Sequence, residues 1–347
     1  FDGKRRACMG PDCVVGRPFR VENEDRLAPL AARGDWALRP EALDASALPE
    51  ALRAELGAYW ARLGQMEHAS VAAFARFALQ LLALGAPPVL VADAQAAMGD
   101  ELEHARLCFG LAQALSGRAV GPGPLALEGA LEGASLGEVV RLAVIEGCVG
   151  ETLAALEAAE SYEFATDASV REVLGRVRAD EGRHAELAWR FVAWALEVGG
   201  AAAREAAAGA FAQAFDETSG PEGSTSEPGE AEAQALAFGR LPERLRRELR
   251  RQALREVVGP CAERLLAASS GVKAAAQGDA SSAHALGASG RHPSAGLARA
   301  VGPRASPIAT DGASCARRRV RTNGEGARGR DGRRRRGARR RAKSLVG

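Results

Sequence analysis

The chain carries one pattern twice. Asp100-Glu101-Leu-Glu-His104-Ala105-Arg-Leu107 and Asp180-Glu181-Gly-Arg-His184-Ala185-Glu-Leu187 both read Asp-Glu-x-x-His-Ala-x-Leu, 80 residues apart. The chain has only five histidines in 347 residues, and the repeat uses two of them. Two further glutamates keep step with it: Glu67 lies 34 residues before Glu101, and Glu146 lies 35 residues before Glu181. A recurrence at this period, with apolar residues at helical spacing around it, marks a duplicated helical hairpin. It also constrains the tertiary fold. Glu and His at i, i+3 share one helix face, a turn apart, so each pair can reach a common point.

The hairpins can be placed from punctuation alone. The first helix is predicted from about Ala51 to Leu84, with Leu63, Met66, Val71, Phe74, Phe77 and Leu81 on its apolar face. Gly85-Ala-Pro-Pro88 stops it and restarts a second helix running to about Leu115. Ser135-Leu-Gly-Glu138 and Ser169-Val-Arg-Glu172 read as capping boxes that open helices three and four. The short joins make each pair antiparallel. The join from Ser116 to Ala134 holds Pro122, Pro124 and five glycines. Nineteen extended residues span roughly 60 Å, well beyond the length of about 38 Å for a 25-residue helix. Two hairpins linked by one long crossover is the expected topology: an all-α, ferritin-like four-helix bundle over 51–200.

Outside that region the sequence predicts an irregular, proline-containing extension over 1–50. An Ala/Gly/Ser/Glu linker follows over 201–235, then an amphipathic C-terminal helix over 236–270. Residues 271–347 carry a net charge of +14 against −12 for the rest, with no apolar periodicity, and read as a disordered Arg-rich tail. Such a tail could touch nucleic acid without sequence preference. Yet it has no aromatic residue for base stacking, and 43 arginines against three lysines fit GC-rich coding; a non-functional tail is the favoured reading. Only 5% of residues are aromatic and Ala and Gly dominate, which excludes a β-sandwich or barrel. No apolar run reaches 18 residues, so no membrane span is expected. The default compartment is the cytoplasm, with export left open because residue 1 is Phe. Ala-rich helix faces could pair two chains as a homodimer.

The candidate chemistry sits at one level. In an antiparallel hairpin, facing residues are equidistant from the turn. Glu67 and the Glu101/His104 pair centre near residue 85, at the Gly-Pro stop. Glu146 and the Glu181/His184 pair centre near residue 164, beside Thr166-Asp167. The helical neighbours of Glu67, Glu146 and Glu181 are small or apolar, so these carboxylates are expected to be buried, which requires a cation, a proton or a metal. A carboxylate from each of two helices plus Glu-x-x-His from each of the other two supplies six ligands for a pair of metals. That ligand mix suits two iron ions, with manganese or a mixed pair as alternatives. Glu151, five residues after Glu146 and also among small residues, is a rival to Glu146 or an additional ligand. His68 is expected to pack rather than bind. Asp100 and Asp180 are candidates to orient the histidine of the partner helix, with plain helix surface charge an equal alternative. Cys108 and Cys148 are expected to be buried small residues, and Cys8-x4-Cys13 a disulfide loop only in an exported chain.

The set Glu67, Glu101-x-x-His104, Glu146, Glu181-x-x-His184 resembles the ferritin-like di-metal carboxylate superfamily, which includes bacterioferritin, rubrerythrin, demethoxyubiquinone hydroxylase and the tRNA-modifying hydroxylases. The likeness covers roughly 55–200. It implies a non-haem di-iron centre in which Glu101 and Glu181 bridge the metals, Glu67 and Glu146 are terminal, and His104 and His184 bind one metal each; Glu151 would be a seventh ligand of the rubrerythrin kind. The implied activity is that of an oxidoreductase acting on O2 or peroxide, of oxygenase, peroxidase or ferroxidase type, with an unidentified electron donor. The alternative is a non-catalytic metal-binding or iron-storage bundle.

Overall fold

The computed structural model describes residues 16–132, 135–216 and 229–268. The tail 271–347, the Cys8/Cys13 pair and most of the Ser/Gly linker lie outside the described residues. The described chain is mainly helical: α1 (Glu50–Ala83), α2 (Pro88–Ser116), α3 (Leu136–Leu142), a π-helical stretch (Ala143–Glu151), α4 (Thr152–Phe164), α5 (Ala168–Asp216), α6 (Glu230–Ala237) and α7 (Glu243–Ala253), the last continuing through a second π-helical stretch (Leu254–Val258) to residue 268. Among the described residues, no helix is long and apolar enough to cross a membrane.

The helices pack as two antiparallel pairs, and small residues set how closely. In the first pair, Gly57 lies against Ala112 and Ser116, and Gly64 lies against the ring of Phe109. In the second, Gly147 faces Ala188 and Gly175 faces Tyr162. A Cβ on Gly147 would come within 2.4 Å of the Ala188 Cβ, so this approach needs glycine. The α1–α2 corner is made by Gly85, whose φ of +66° follows the end of α1, and by Pro88 at the start of α2.

Helix ends follow their caps, with one exception to expectation. Ser135 Oγ accepts from the Glu138 amide, as the capping box predicts. Ser169 does not cap α5. Asp167 does, through Oδ1 and the Val170 amide, while Ser169 is buried and its Oγ accepts from the Ala42 amide. Asp is as good a cap as Ser, and here it stands two residues earlier. The fourth helix breaks at Gly200, and a further helical stretch follows to Asp216. Gly200 takes φ +57° and ψ −130°, a kink, and the Ala-rich stretch beyond it buries Ala203, Ala207, Ala210 and Phe211.

The described part of the extension, residues 16–49, is tied down at several points. Arg20–Val21 and Glu24–Asp25 form a small hairpin through Glu22 and Asn23, both at positive φ. Leu30–Ala31 pairs antiparallel with Gly121–Pro122 of the long α2–α3 connection. Leu38 donates its amide to the Arg106 carbonyl and presses its own carbonyl against Gly110.

The apolar interior falls into two main clusters. One holds Leu56 and Trp60 of α1, Leu111 and Leu115 of α2, and Val170 and Leu174 of α5. The other holds Phe74, Phe77 and Leu81 of α1, Leu90 and Ala94 of α2, and Leu187, Trp189 and Phe191 of α5. On each of these helices a short polar level separates the two: Glu67 on α1, Glu101 and His104 on α2, Glu181 and His184 on α5.

Candidate metal centre

That polar level is fully enclosed. Glu67, Glu101, Glu151 and Glu181 are at most 1% exposed, and His104 and His184 at most 2%. Their ligand-type atoms form two overlapping groups, each within 4.8 Å throughout: Glu67, Glu101, His104 and Glu181 in one, and Glu101, Glu151, Glu181 and His184 in the other. Glu101 and Glu181 belong to both. The Nδ1 of His104 lies 3.6 Å from both Glu101 Oε2 and Glu181 Oε1, and 3.9 Å from Glu67 Oε2. The Nδ1 of His184 lies 3.0 Å from Glu101 Oε1 and 3.7 Å from Glu181 Oε2.

The opposite nitrogen of each imidazole is held by the other half of the repeat. His104 Nε2 meets Asp180 Oδ2 at 3.0 Å, and His184 Nε2 meets Asp100 Oδ2 at 3.2 Å. Each Asp-Glu-x-x-His copy therefore orients the histidine of the other copy. This fixes the proton on Nε2 and turns Nδ1 inward. Phe74 packs edge-on to the His184 ring at 5.1 Å.

The donor set fits a pair of cations. Nine polar atoms here are buried without a hydrogen-bond partner: one oxygen of Glu67, both of Glu101, Glu151 and Glu181, and the two Nδ1 atoms. Leaving such groups unsatisfied is costly, and here they converge on one point. The charge also matches, since four carboxylates balance two divalent cations when both imidazoles are neutral.

Without metal, the same crowding must be relieved by protons. Burial raises the Glu67 carboxyl well above its ordinary range, reinforced by Glu101 and Glu181. Burial, then Glu181, does the same to Glu151. Burial opposes the charge on Glu101, but the imidazoles of His104 and His184 beside it overcome that and hold it low. Burial also opposes the imidazolium form of both histidines, yet Asp180 and Glu101 raise His104, and Asp100 and Glu101 raise His184, well above the ordinary value.

Glu146 is corrected. It does not enter either group. Its carboxylate is held by Arg76 Nη2 at 2.7 Å and Arg17 Nε at 3.4 Å, all three side chains being buried. Glu151 stands in the place expected of it. The cause is the π-helical stretch. Its i to i+5 repeat brings residues 146 and 151 to successive levels of one inward face, whereas an α-helix would set them about 140° apart. The level argument contained the signal: the α4–α5 turn is Ala165–Asp167, and Glu151 centres with Glu181/His184 near residue 167, closer to that turn than Glu146 does. Arg17 and Arg76 were not anticipated. Arg76 is a cation on the same turn of helix as Phe74 and Phe77, which signals a buried carboxylate partner without naming it; Arg17 lies in an irregular segment that carries no such signal.

The remaining candidates fall as follows. His68 packs edge-on to Trp36 with centroids 4.9 Å apart, away from the groups. Cys108 and Cys148 are buried and free. Trp60 is buried and donates to the Phe238 carbonyl at 3.2 Å. A cavity beside Glu67, lined by Leu63, Cys108 and Val177, measures about 20 Å³ to the centre of a water-sized sphere, room for about one water molecule. Comparison with protein-family models, curated proteins and solved structures finds nothing that matches this chain.

Proposed function

We propose that the chain is a non-haem di-metal carboxylate protein on a ferritin-like four-helix bundle, with iron as its metal and O2 or peroxide as its oxidant. The bundle is formed by α1, α2, the α3–π–α4 rod and α5. One metal would be held by Glu67 and His104, the other by Glu151 and His184, with Glu101 and Glu181 shared. Manganese suits the same ligands. The single observation that carries this reading is the convergence of four buried carboxylates and two inward Nδ1 atoms, nine of whose polar atoms have no protein hydrogen-bond partner.

Iron in such a site supplies one-electron redox chemistry to oxygen or peroxide. The chain's residues prepare it. Asp100 and Asp180 keep the Nε2 protons in place, so the Nδ1 lone pairs face the cations. Burial pushes the Glu67 and Glu151 carboxyls well above the ordinary range, so cations binding there would compete with protons. Phe74 and the two apolar clusters exclude bulk water and keep the carboxylates from being solvated apart.

A non-catalytic metal-holding role is the competing reading, favoured by the enclosure of all six side chains. Metal analysis of the purified full chain, with Glu101→Ala and His184→Ala beside it, tests the site. About two irons per chain, lost in both variants, is the expected result. Oxidant consumption by the loaded protein then separates the roles: turnover supports the oxidoreductase, two metals without turnover support the holding role, and no uptake after anaerobic ferrous reconstitution removes both.

A further inference from the structure

The side of the centre between α1 and the π-helical stretch is closed by the extension that precedes α1. Gly16 lies in this gap with φ +79°. A Cβ there would come within 3.1 Å of Ser70 Oγ and 3.2 Å of Glu67 Oε2, with Glu181 Oε1 at 4.0 Å. From the opposite wall, a Cβ on Gly150 would lie 3.5 Å from the Gly16 carbonyl oxygen. Gly16 therefore sits where a side chain would crowd the Glu67 carboxylate of α1, with the helix that carries Glu151 close against its carbonyl.

Three anchors hold the segment. Ser70 Oγ donates to the Arg17 carbonyl at 2.8 Å. The Arg17 guanidinium, buried, lies over the rings of Phe74 and Phe77 at 4.7 and 4.4 Å and reaches Glu146. Arg76 bridges Glu146 and the Arg20 carbonyl. Glu146, the residue that mirrors Glu67 in the repeat, thus fastens a covering segment. A buried carboxylate shared by two buried arginines is a directional tie whose loss leaves charge unpaired.

We propose that residues 16–21 form a fixed roof over the Glu67–Glu181 side of the centre, and that Gly16 sets the size of exogenous molecule admitted there. The roof admits ligands of two or three heavy atoms, the class of dioxygen, peroxide and azide, and excludes ring-sized organic molecules. The proposal rests on the di-metal reading and deepens it: the substrate is the oxidant itself, not an organic molecule seated at the metals.

The test uses the full chain, iron-loaded and oxidised, with azide and 4-nitrocatechol as probes followed by their visible absorption on binding iron. The wild type is expected to bind azide and not nitrocatechol. Arg17→Ala and the milder Ser70→Ala loosen the roof without touching a metal-facing carboxylate or histidine. Both are expected to keep two irons and the helical circular dichroism signal, and to bind nitrocatechol at least about tenfold more tightly than the wild type, about 1.4 kcal/mol. Equal nitrocatechol binding by all three proteins, exclusion of it by both folded variants, or no azide binding by the iron-loaded wild type overturns the roof alone. Failure of the wild type to take up iron overturns the di-metal reading, and the roof with it.

Discussion

Glu67 and Glu151 are buried as completely as the phenylalanines near them, and neither is paired with an arginine or lysine among the described residues. Glu146 is buried equally and has two arginines. That contrast gives the sharpest prediction at the scale of single residues. Glu151→Ala should lower the metal content from two per chain to about one. Glu146→Ala should leave it at two, and elemental analysis reads the difference directly. The reverse pattern would restore Glu146 as the ligand. The crossed Asp–His contacts make a second prediction. Asp100→Ala or Asp180→Ala removes the group that holds Nε2, so metal affinity should fall about 10–100-fold with two sites still filled at saturation. Competition titration against a chelating dye measures this; unchanged affinity would mean that packing alone orients the rings.

At the scale of elements, the third rod is the unusual one. Its π-helical stretch makes room for Glu146 and Glu151 on one inward face, and Gly147 lets that face meet α5 at Ala188. Replacing glycine by alanine in a helix ordinarily stabilises it by about 0.5–1 kcal/mol. Gly209 in α5 has open space where a Cβ would go, so Gly209→Ala should show that gain. Gly147→Ala would drive a methyl into Ala188 and is expected to lose about 1–3 kcal/mol despite the better propensity. Urea unfolding of the two variants should move in opposite directions; a shift in the same direction would show that α5 can withdraw without loss.

For the whole molecule, the decisive arrangement is a charged level set between two apolar clusters. The clusters hold the helices together, and the charged level makes the metal-free protein sensitive to pH. Glu67 and Glu151 bind protons more tightly folded than unfolded, above the ordinary 4.5, and so do His104 and His184, above 6.5. Groups of this kind stabilise the fold below their ordinary value and lose that contribution as pH rises through the folded one. Glu101 has the opposite sign: held below 4.5, it contributes above that value and loses its contribution as pH falls. The metal-free protein should therefore be most stable at about pH 4.5, weaken above it as Glu67 and Glu151 lose their contribution, and weaken more steeply above about 6.5 as the histidines lose theirs. Bound cations replace the protons, so the loaded protein should keep its stability at alkaline pH and gain further by mass action. Thermal unfolding of chelator-treated and loaded protein from about pH 5 to 9 tests this, and parallel profiles for the two would contradict it.

Helical periodicity, the Gly-Pro stop and the duplicated Glu-x-x-His made the helices and the level shared by the buried carboxylates and histidines legible, because these are local properties of a helix face. Spacing by itself set Glu67, Glu101, His104, Glu181 and His184 at one level; for Asp100 and Asp180 it left a contact to the partner helix's histidine and plain surface charge equally open, and the crossed contacts are tertiary. The choice between Glu146 and Glu151 was not local. It depended on a π-helical widening of the backbone, which side-chain spacing read with α-helical geometry does not reveal. Gly200 breaks the fourth helix where its pattern thins, and what local spacing did not reveal is that the Ala-rich stretch beyond it packs, burying Ala203, Ala207 and Phe211 against the rest of the protein. Only the tertiary structure could bring Gly16 and Arg17 to the centre. An irregular segment has no periodicity to betray its partners, and its position is fixed by a carboxylate 129 residues away.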